Sequence, residues 1–517
     1  MANELFSQVT LPCGRTIPNR LVKVAMYEHL ANLFGGPPNA YHFNLYSAWS
    51  KQKWGMVITG NVQVCPEHLS LGRDMVIPRE VNEDTLEPFA QLARSIHGTE
   101  KDYSSSREPC SRALAIMQIS HAGRQSPNFL GGRKPLVPPL APSPVRLGSS
   151  RRTESVAGAT VLEEIVPPLP LRALFQIPRE MTVDDIKDVQ QAFVRASLTA
   201  MKSGFDGVQL HCAHGYLLSQ FLNPKSNLRK DAYSCAPENE LRMVREIVDA
   251  IRAVVPQDFV VGLKINSADY LEADERPSDY TVTKEMNRVL SHIRSMAHWG
   301  TIDFIEISGG DYESPDFLST KVTTPRQAFF EHFSKTATKA LESNPAARIS
   351  LPSILLTGGL RSPAHLQMAL DARHAHLFGF GRSSVIRPDL PTVLRERIER
   401  SWASGGPMSI ASDDEPFVNE PDSRMKSLSW FPDVKLIGAT MGIAWYVVRI
   451  RRIAQWQMHE SLADGKSGGL PPFNYNRAGI PSMLEMWIWM DWSSTLQAFV
   501  VFLVAAYFVF LPPNGYL

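Results

Sequence analysis

The sequence predicts an α/β fold, a (β/α)8 TIM barrel, extended by a C-terminal helix and a single transmembrane tail helix. Short apolar runs recur eight times with helical patterns between them, the element order of a parallel barrel. The runs are nearly continuous in hydrophobicity, as expected of strands buried on both faces. The 517 residues exceed one average domain and suit such a barrel with an appendage.

The eight strands are predicted within residues 1–402, which we assign to the barrel domain. They cover residues 21–25, 56–61, 115–119, 207–211, 260–265, 304–307, 354–357 and 377–381. Amphipathic patterns between them predict helices, among them 183–202 behind a Thr182 cap, 238–254 and 283–298. This alternation favours a closed parallel barrel over an antiparallel sheet.

One connection, residues 122–181, is unusually long and rich in Pro, Gly, Arg and Ser. A segment of this length is uncommon as a bare linker inside a compact domain. In a barrel it would cover the mouth as a lid or small excursion. For residues 148–170, a disordered surface insertion is an equally good interpretation.

The carboxyl-terminal segment changes in composition. Residues 403–430 have the composition of a linker, and 431–460 predict an amphipathic helix whose apolar part is too short to cross a bilayer. Residues 493–511 carry no charge and would span roughly 28 Å as a helix, close to a bilayer's hydrocarbon thickness. We expect a membrane anchor with the catalytic domain facing the cytosol; the alternative is a buried helix packed on the barrel or at a dimer interface.

Composition excludes several classes of protein. The formal net charge of +1 gives no polyelectrolyte character, so no nucleic-acid partner is expected. The five cysteines are scattered without a C-x-x-C pair, which argues against a disulfide framework or an iron–sulfur cluster, and no metal site is expected. The amino terminus lacks the pattern of a signal peptide.

A cluster of polar side chains ends the fourth predicted strand. His211, His214 and Tyr216 follow the run DGVQL and precede LLSQFL. Side chains at the carboxyl end of a barrel strand point toward a shared pocket. Two imidazole donors aimed at one oxygen can stabilise a developing enolate, and a phenol can supply a proton. The alternative, that these are ordinary core or loop residues, is much weaker for a cluster than for a lone histidine.

This stretch resembles the pattern H-x-A-[HN]-G-Y-L-L-x-Q-F-L of the old yellow enzyme family, the FMN-dependent NAD(P)H:flavin oxidoreductases. The resemblance covers about residues 5–400. It implies that His211 and His214 bind the carbonyl oxygen of an α,β-unsaturated substrate. It also implies that Tyr216 donates the proton.

The resemblance also implies an FMN site. The segment NRLVKVAMY resembles a family segment whose backbone packs on the flavin. The resemblance places Ala25 and Met26 on the cofactor and Tyr27 beside the substrate. Ala25 stands where the family usually has proline. Gly60 would allow close approach to the ring. Gln118 suits the pyrimidine edge of the flavin, because an amide both donates and accepts.

Further cofactor contacts are expected on the later strands. Lys264 matches the family's basic residue near flavin N1 and O2, where negative charge accumulates on reduction; the alternative is a surface lysine. The FMN phosphate is expected at the glycine-rich ends of strands seven and eight, where backbone N–H groups and an arginine converge. These residues are Gly358, Gly359, Gly381 and Arg382.

The expected function is reduction of the C=C bond of an enone or enal, with NADPH or NADH as hydride donor. Alternatives are isomerisation, dehydrogenation or cyclisation at the same flavin, or an inert flavin-binding membrane scaffold. The substrate and a homodimer are left open. The sequence departs from the family at Ser234 and Cys235, where Gly-Gly is usual, and at Asn239 and Glu240, where Asn-Arg is usual. Altered packing near the rim of the site is therefore expected.

Overall fold

The computed structural model describes most of the predicted barrel domain and part of the carboxyl-terminal segment. The described residues are 2–98, 112–156, 159–165, 169–267, 284–308, 335–338, 351–358, 360, 362–403, 435–462, 480–488 and 500.

Eight parallel strands form a closed barrel, as predicted. They are β1 (Leu21–Lys23), β2 (Met56–Ile58), β3 (Leu114–Ser120), β4 (Gly207–Cys212), β5 (Val260–Asn266), β6 (Phe304–Ser308), β7 (Ser353–Thr357) and β8 (Leu377–Phe380). Each strand pairs with the next, and β8 pairs with β1 to close the ring. The prediction differs at β2, which ends three residues earlier than expected.

Helices follow the strands on the outside of the barrel. They are α1 (Ala40–Ser50), α2 (Glu83–His97), α3 (Val183–Lys202), α4 (Arg242–Arg252), α5 (Lys284–His298), α6 (Pro363–Asp371) and α7 (Leu390–Ala403). The Thr182 hydroxyl caps α3 by accepting the Asp185 N–H at 3.1 Å. This helix has the bounds that the sequence predicts.

Two apolar layers lie on either side of the strands. Inward-facing residues fill the lower barrel as one buried cluster, which includes Val22, Ile58, Ile116 and Phe304. Outward-facing residues pack against the helices as a second, larger cluster. Gly262 makes room inside the barrel, because a Cβ there would lie 2.2 Å from the Phe304 ring.

The long connection after β3 contains regular structure. A β-hairpin pairs Ser150–Val156 with Ala159–Ile165, and the short strands Leu140–Ala141 and Arg179–Glu180 pair in parallel. Thus residues 148–170, for which the sequence left a disordered insertion open, include a hairpin.

Two helices of the carboxyl-terminal segment pack on the barrel. Helix α8 (Lys435–Leu462) lies against α1, and α9 (Ile480–Trp487) lies against α8. In the described part of the chain, no helix has the length and hydrophobicity to cross a bilayer. The predicted tail, 493–511, lies outside the described residues apart from Val500.

Candidate active site

A layer of polar side chains lies above the inner apolar cluster. It consists of Gln118, Gln209, His211, Lys264 and Glu306, all buried. The strand register places Gln118 beside Gln209, and it places His211, Lys264 and Glu306 side by side on β4, β5 and β6. Three predicted site residues therefore meet here, together with two that sequence reasoning missed.

His211 is a neutral imidazole within this layer. Burial lowers its pKa well below the ordinary value, and His214 and Lys264 lower the pKa further. Its Nδ1 accepts the Ala213 N–H at 3.3 Å, which leaves the proton of the neutral ring on Nε2. His211 can therefore donate a hydrogen bond without carrying a positive charge.

His214 lies in a strained turn that neighbouring strands hold in place. Its φ of 57° is in the left-handed region. Its N–H donates to Asn266 Oδ1 at 3.0 Å, and its carbonyl accepts from Gln125 Nε2 at 2.9 Å. The ring stands edge-on to His211 at 5.0 Å between centroids, and Nε2 lies 3.0 Å from Ser308 Oγ.

Tyr216 completes the predicted cluster and begins the short helix Leu217–Leu222. Its ring centroid lies 4.6 Å from that of His211, and the Ser70 hydroxyl donates to its phenol oxygen at 3.3 Å. Ser70 in turn accepts from Gln63 Nε2 at 3.0 Å, and its N–H donates to Asp74. Burial raises the pKa of Asp74. Sequence reasoning missed this network because its members follow β2, far from Tyr216 in the chain.

Lys264 is paired inside the barrel. Its Nζ lies 2.9 Å from Glu306 Oε1, and the other carboxylate oxygen accepts from Gln209 Nε2 at 2.7 Å. The predicted alternative of a surface lysine is therefore wrong. Gln118 donates to Asn61 Oδ1, while its own Oε1 is buried without a hydrogen-bond partner among the described residues.

The loop after β1 brings Met26 close to the ends of β2 and β8. A Cβ added at Gly60 would lie 2.6 Å from the Met26 carbonyl oxygen and 2.8 Å from Glu28 Cδ. A Cβ at Gly381 would lie 3.2 Å from Met26 Sδ. Ala25, between this loop and the strand, packs against the inner apolar cluster.

Glu28 was not anticipated from the sequence. It is buried, and its Oε1 accepts the Gly60 N–H at 3.1 Å and a short hydrogen bond from the Tyr46 hydroxyl. Burial raises the pKa of Glu28, and the nearby Lys23 opposes that rise. The close approach of Glu28 and Met26 thus requires a glycine at position 60, whether or not a ligand is bound.

Three of the four residues predicted to bind the phosphate lie at the ends of β7 and β8 within the described residues. Gly358 has a φ of 106°, which favours glycine. Gly381 precedes a short helix that begins at Arg382. Gly359 lies outside the described residues. The phosphate role of these residues stays a prediction.

Tyr27 lies under the carboxyl-terminal helices. It packs against a small apolar cluster of Ala444, Val447, Val448 and Met486 from α8 and α9. Trp487 of α9 stands edge-on to His29 at 4.9 Å, and His29 lies 5.9 Å from Tyr27. Helix α9 therefore covers the loop that carries the predicted substrate-binding Tyr27.

The departures after β4 form contacts of their own. Cys235 donates to the Phe221 carbonyl at 3.3 Å, and Asn239 Nδ2 donates to Ser234 Oγ at 3.3 Å. Glu240 pairs with Arg288 and His292 on α5, at 3.0 and 2.9 Å. These contacts join the start of α4 to its neighbours.

The chain is similar to a known protein family and to named relatives. The model of the NADH:flavin oxidoreductase / NADH oxidase family matches residues 4–401. An NADH-dependent flavin oxidoreductase of Talaromyces variabilis is 32% identical over 469 residues, covering 87% of this chain and 98% of that protein. Another, from Neonectria sp. (strain DH2), is 34% identical over 391 residues, covering 75% of this chain but 46% of that protein.

A solved structure shares the fold. The old yellow enzyme homologue from Zymomonas mobilis superimposes with a TM-score of 0.54 at 18% identity, covering 76% of this chain and 93% of that one. At this identity the likeness concerns the barrel architecture alone.

Proposed function

The chain belongs to the NADH:flavin oxidoreductase / NADH oxidase family, and on that premise we propose that it reduces the activated C=C bond of an α,β-unsaturated carbonyl compound. As a member of this family it is an oxidoreductase that uses FMN with NADH or NADPH as hydride donor. Bound FMN supplies hydride transfer from the nicotinamide to the substrate.

The polar layer fits FMN. The Oε1 atoms of Gln118 and Gln209 are buried acceptors without hydrogen-bond partners in the described part of the chain. A buried amide oxygen left unpaired is costly, so a donor from a ligand would stabilise it. The pyrimidine edge of FMN offers such an N–H.

Separate elements would hold the different parts of FMN. In the proposal, the backbone at Ala25, Met26 and Gly60 borders the ring, and Gln118 and Lys264 meet the pyrimidine edge. The phosphate would be held at the ends of β7 and β8 by Gly358, Gly359, Gly381 and Arg382.

The observation that carries the substrate proposal is the convergence of His211, His214 and Tyr216. Neutral His211 offers the Nε2 proton to a carbonyl oxygen, and His214 is fixed beside it by Asn266 and Gln125. Two such donors favour the charge that develops on that oxygen when hydride reaches the β-carbon. The phenol of Tyr216, whose ring is tilted against that of His211 at 4.6 Å between centroids, then supplies the proton to the α-carbon.

The proposal is tested by the two half-reactions of the purified full chain with FMN. We expect NADH or NADPH to bleach the bound flavin without oxygen, and 2-cyclohexen-1-one to restore its colour with formation of cyclohexanone. A flavin that is bleached and restored by no member of an enone and enal panel would contradict the proposal. Conversion of an enone without net consumption of NADH would favour isomerisation.

We also propose that residues 493–511 anchor the protein to a membrane with the barrel in the cytosol. The uncharged run and the tryptophans before it, Trp487, Trp489 and Trp492, support this proposal. A fluorescent fusion of residues 480–517 should sediment with membranes. A fusion that stays in the supernatant would support the alternative, a helix buried against the barrel or between two copies.

A further inference from the structure

A buried ion pair lies within the polar layer of the barrel. Lys264 Nζ and Glu306 Oε1 are 2.9 Å apart, and the side chains are 3% and 0% exposed. Because water is excluded, neither charge is screened as it would be at the surface. Removing one partner of such a pair would leave an uncompensated buried charge.

Glu306 has two different partners. Its second oxygen accepts from Gln209 Nε2 at 2.7 Å, and Gln209 lies on the strand that carries His211. The carboxylate is therefore fixed from β4 and β5 at once. Lys264 lies between His211 and Glu306 in the strand register, and the ion pair holds its ammonium at the Glu306 carboxylate.

We propose that Glu306 is a positioning residue for Lys264 and, through that ion pair, sets the reduction potential of the bound flavin. The inference rests on the FMN placement in the proposed function. Lys264 alone would stabilise the negative charge that two-electron reduction brings to the pyrimidine edge. The ion pair to Glu306 holds the ammonium toward the carboxylate and away from that edge, which weakens this stabilisation, lowers the potential and makes the reduced protein a stronger hydride donor.

The Glu306→Gln variant tests this inference because glutamine keeps the size and the hydrogen bond to Gln209 but loses the charge. We expect the equilibrium between oxidised and reduced flavin to shift at least tenfold toward the reduced form. For a two-electron couple this is a rise of about 30 mV. The potential is measured by equilibration with a reference dye, with no enone present.

The same substitution in a Lys264→Met background separates positioning from a direct effect of the carboxylate. If Glu306 acts through Lys264, adding Glu306→Gln to Lys264→Met changes the potential less than threefold. An equal rise in both backgrounds would overturn the positioning role. An unchanged potential in the single variant would overturn the inference altogether.

A matched control and a milder variant complete the design. Asp249→Asn removes an exposed, ion-paired carboxylate from α4, outside the polar layer of the barrel, and we expect a shift of less than threefold. The Glu306→Asp variant keeps the charge but shortens the side chain, and it replaces Glu306→Gln if that variant does not fold. We expect Glu306→Asp to shift the flavin equilibrium two- to fivefold toward the reduced form. An unchanged equilibrium would count against the inference. Failure of the wild-type protein to bind FMN would instead refute the proposed function.

Discussion

The phenol of Tyr216 meets a hydroxyl from a distant loop. Ser70 donates to it at 3.3 Å and is itself fixed by Gln63 and Asp74. Since Ser70 is the donor, its hydrogen bond stabilises the phenol oxygen after the proton has left. The network thus orients Tyr216 and supports the charge that proton donation would create.

Replacing Tyr216 with phenylalanine should separate the two half-reactions. The ring contact with His211 remains, but the proton donor is lost, so we expect substrate-driven flavin re-oxidation to slow by about 10² to 10⁴ fold. Flavin reduction by NADH should change by less than about threefold, because it needs no acid. Anaerobic stopped-flow absorbance measures both rates.

The Ser70→Ala variant is the matched control for Tyr216→Phe. It keeps the phenol and removes only its hydrogen bond, whose loss costs about 1 kcal/mol, so re-oxidation should slow by roughly tenfold or less. Equal slowing of both half-reactions in Tyr216→Phe would argue against an acid role for Tyr216.

Among the described side chains of helix α9, Met486 is the most deeply buried apolar one. Met486 is fully buried against Ala444, Val447 and Val448, whereas Leu484 on the same helix is 54% exposed. Glu485 adds an ion pair to Arg452 at 2.6 Å. An eight-residue helix is marginal alone, so packing holds α9 over the Tyr27 loop.

The Met486→Ala variant should release α9. Removing a buried methionine costs about 2 to 5 kcal/mol, comparable with the whole docking energy of so short a helix. We expect hydrogen exchange in residues 480–488 to accelerate at least tenfold, while β4 stays protected. Leu484→Ala should leave both segments unchanged, and equal exchange in the two variants would refute the anchoring role of Met486.

The strands were predictable because each is a local apolar run, and all eight were found. The end of β2 was not, since at that point the Thr59 hydroxyl, rather than a backbone carbonyl, accepts the Gln118 N–H at 3.0 Å. A side chain that replaces a backbone partner ends the ladder without changing the hydrophobic pattern. Strand ends therefore depend on contacts that the pattern does not contain.

The site was predictable where its residues are close in sequence. His211, His214 and Tyr216 lie within six positions, and the structure brings their rings together. Glu306 lies 42 positions beyond Lys264 in the sequence. The two residues are neighbours because of the register between β5 and β6. The resemblance to flavin enzymes predicted Lys264 but did not predict Glu306 as its partner.

The whole molecule buries several histidines in neutral form. The pKa of His29, His42 and His121 is lowered to about 3 in each case, chiefly by burial, against an ordinary value of 6.5. The unfolded chain therefore binds more protons than the folded one between about pH 6.5 and 3. Each of these histidines makes stability fall as pH drops through that window.

His121→Gln isolates one of these contributions. Between pH 7 and 5 the unfolded histidine takes up its proton while the folded one does not, which costs the wild type about 2 kcal/mol that the variant does not lose. Any packing cost of the substitution is the same at both pH values and cancels in the difference. Denaturant unfolding at saturating FMN gives the free energy of unfolding of wild type and variant at pH 7 and at pH 5.

The chosen window avoids the carboxylates with lowered pKa. Hydrogen bonds from Arg179 hold the pKa of Asp185 far below its usual range, so Asp185 titrates below pH 5. The pKa values of buried Asp74 and Glu28 are raised. Their contributions to the pH dependence are the same in wild type and variant, so they cancel in the difference. If wild type and His121→Gln lose the same free energy between pH 7 and 5, His121 is protonated in the folded state, contrary to its burial.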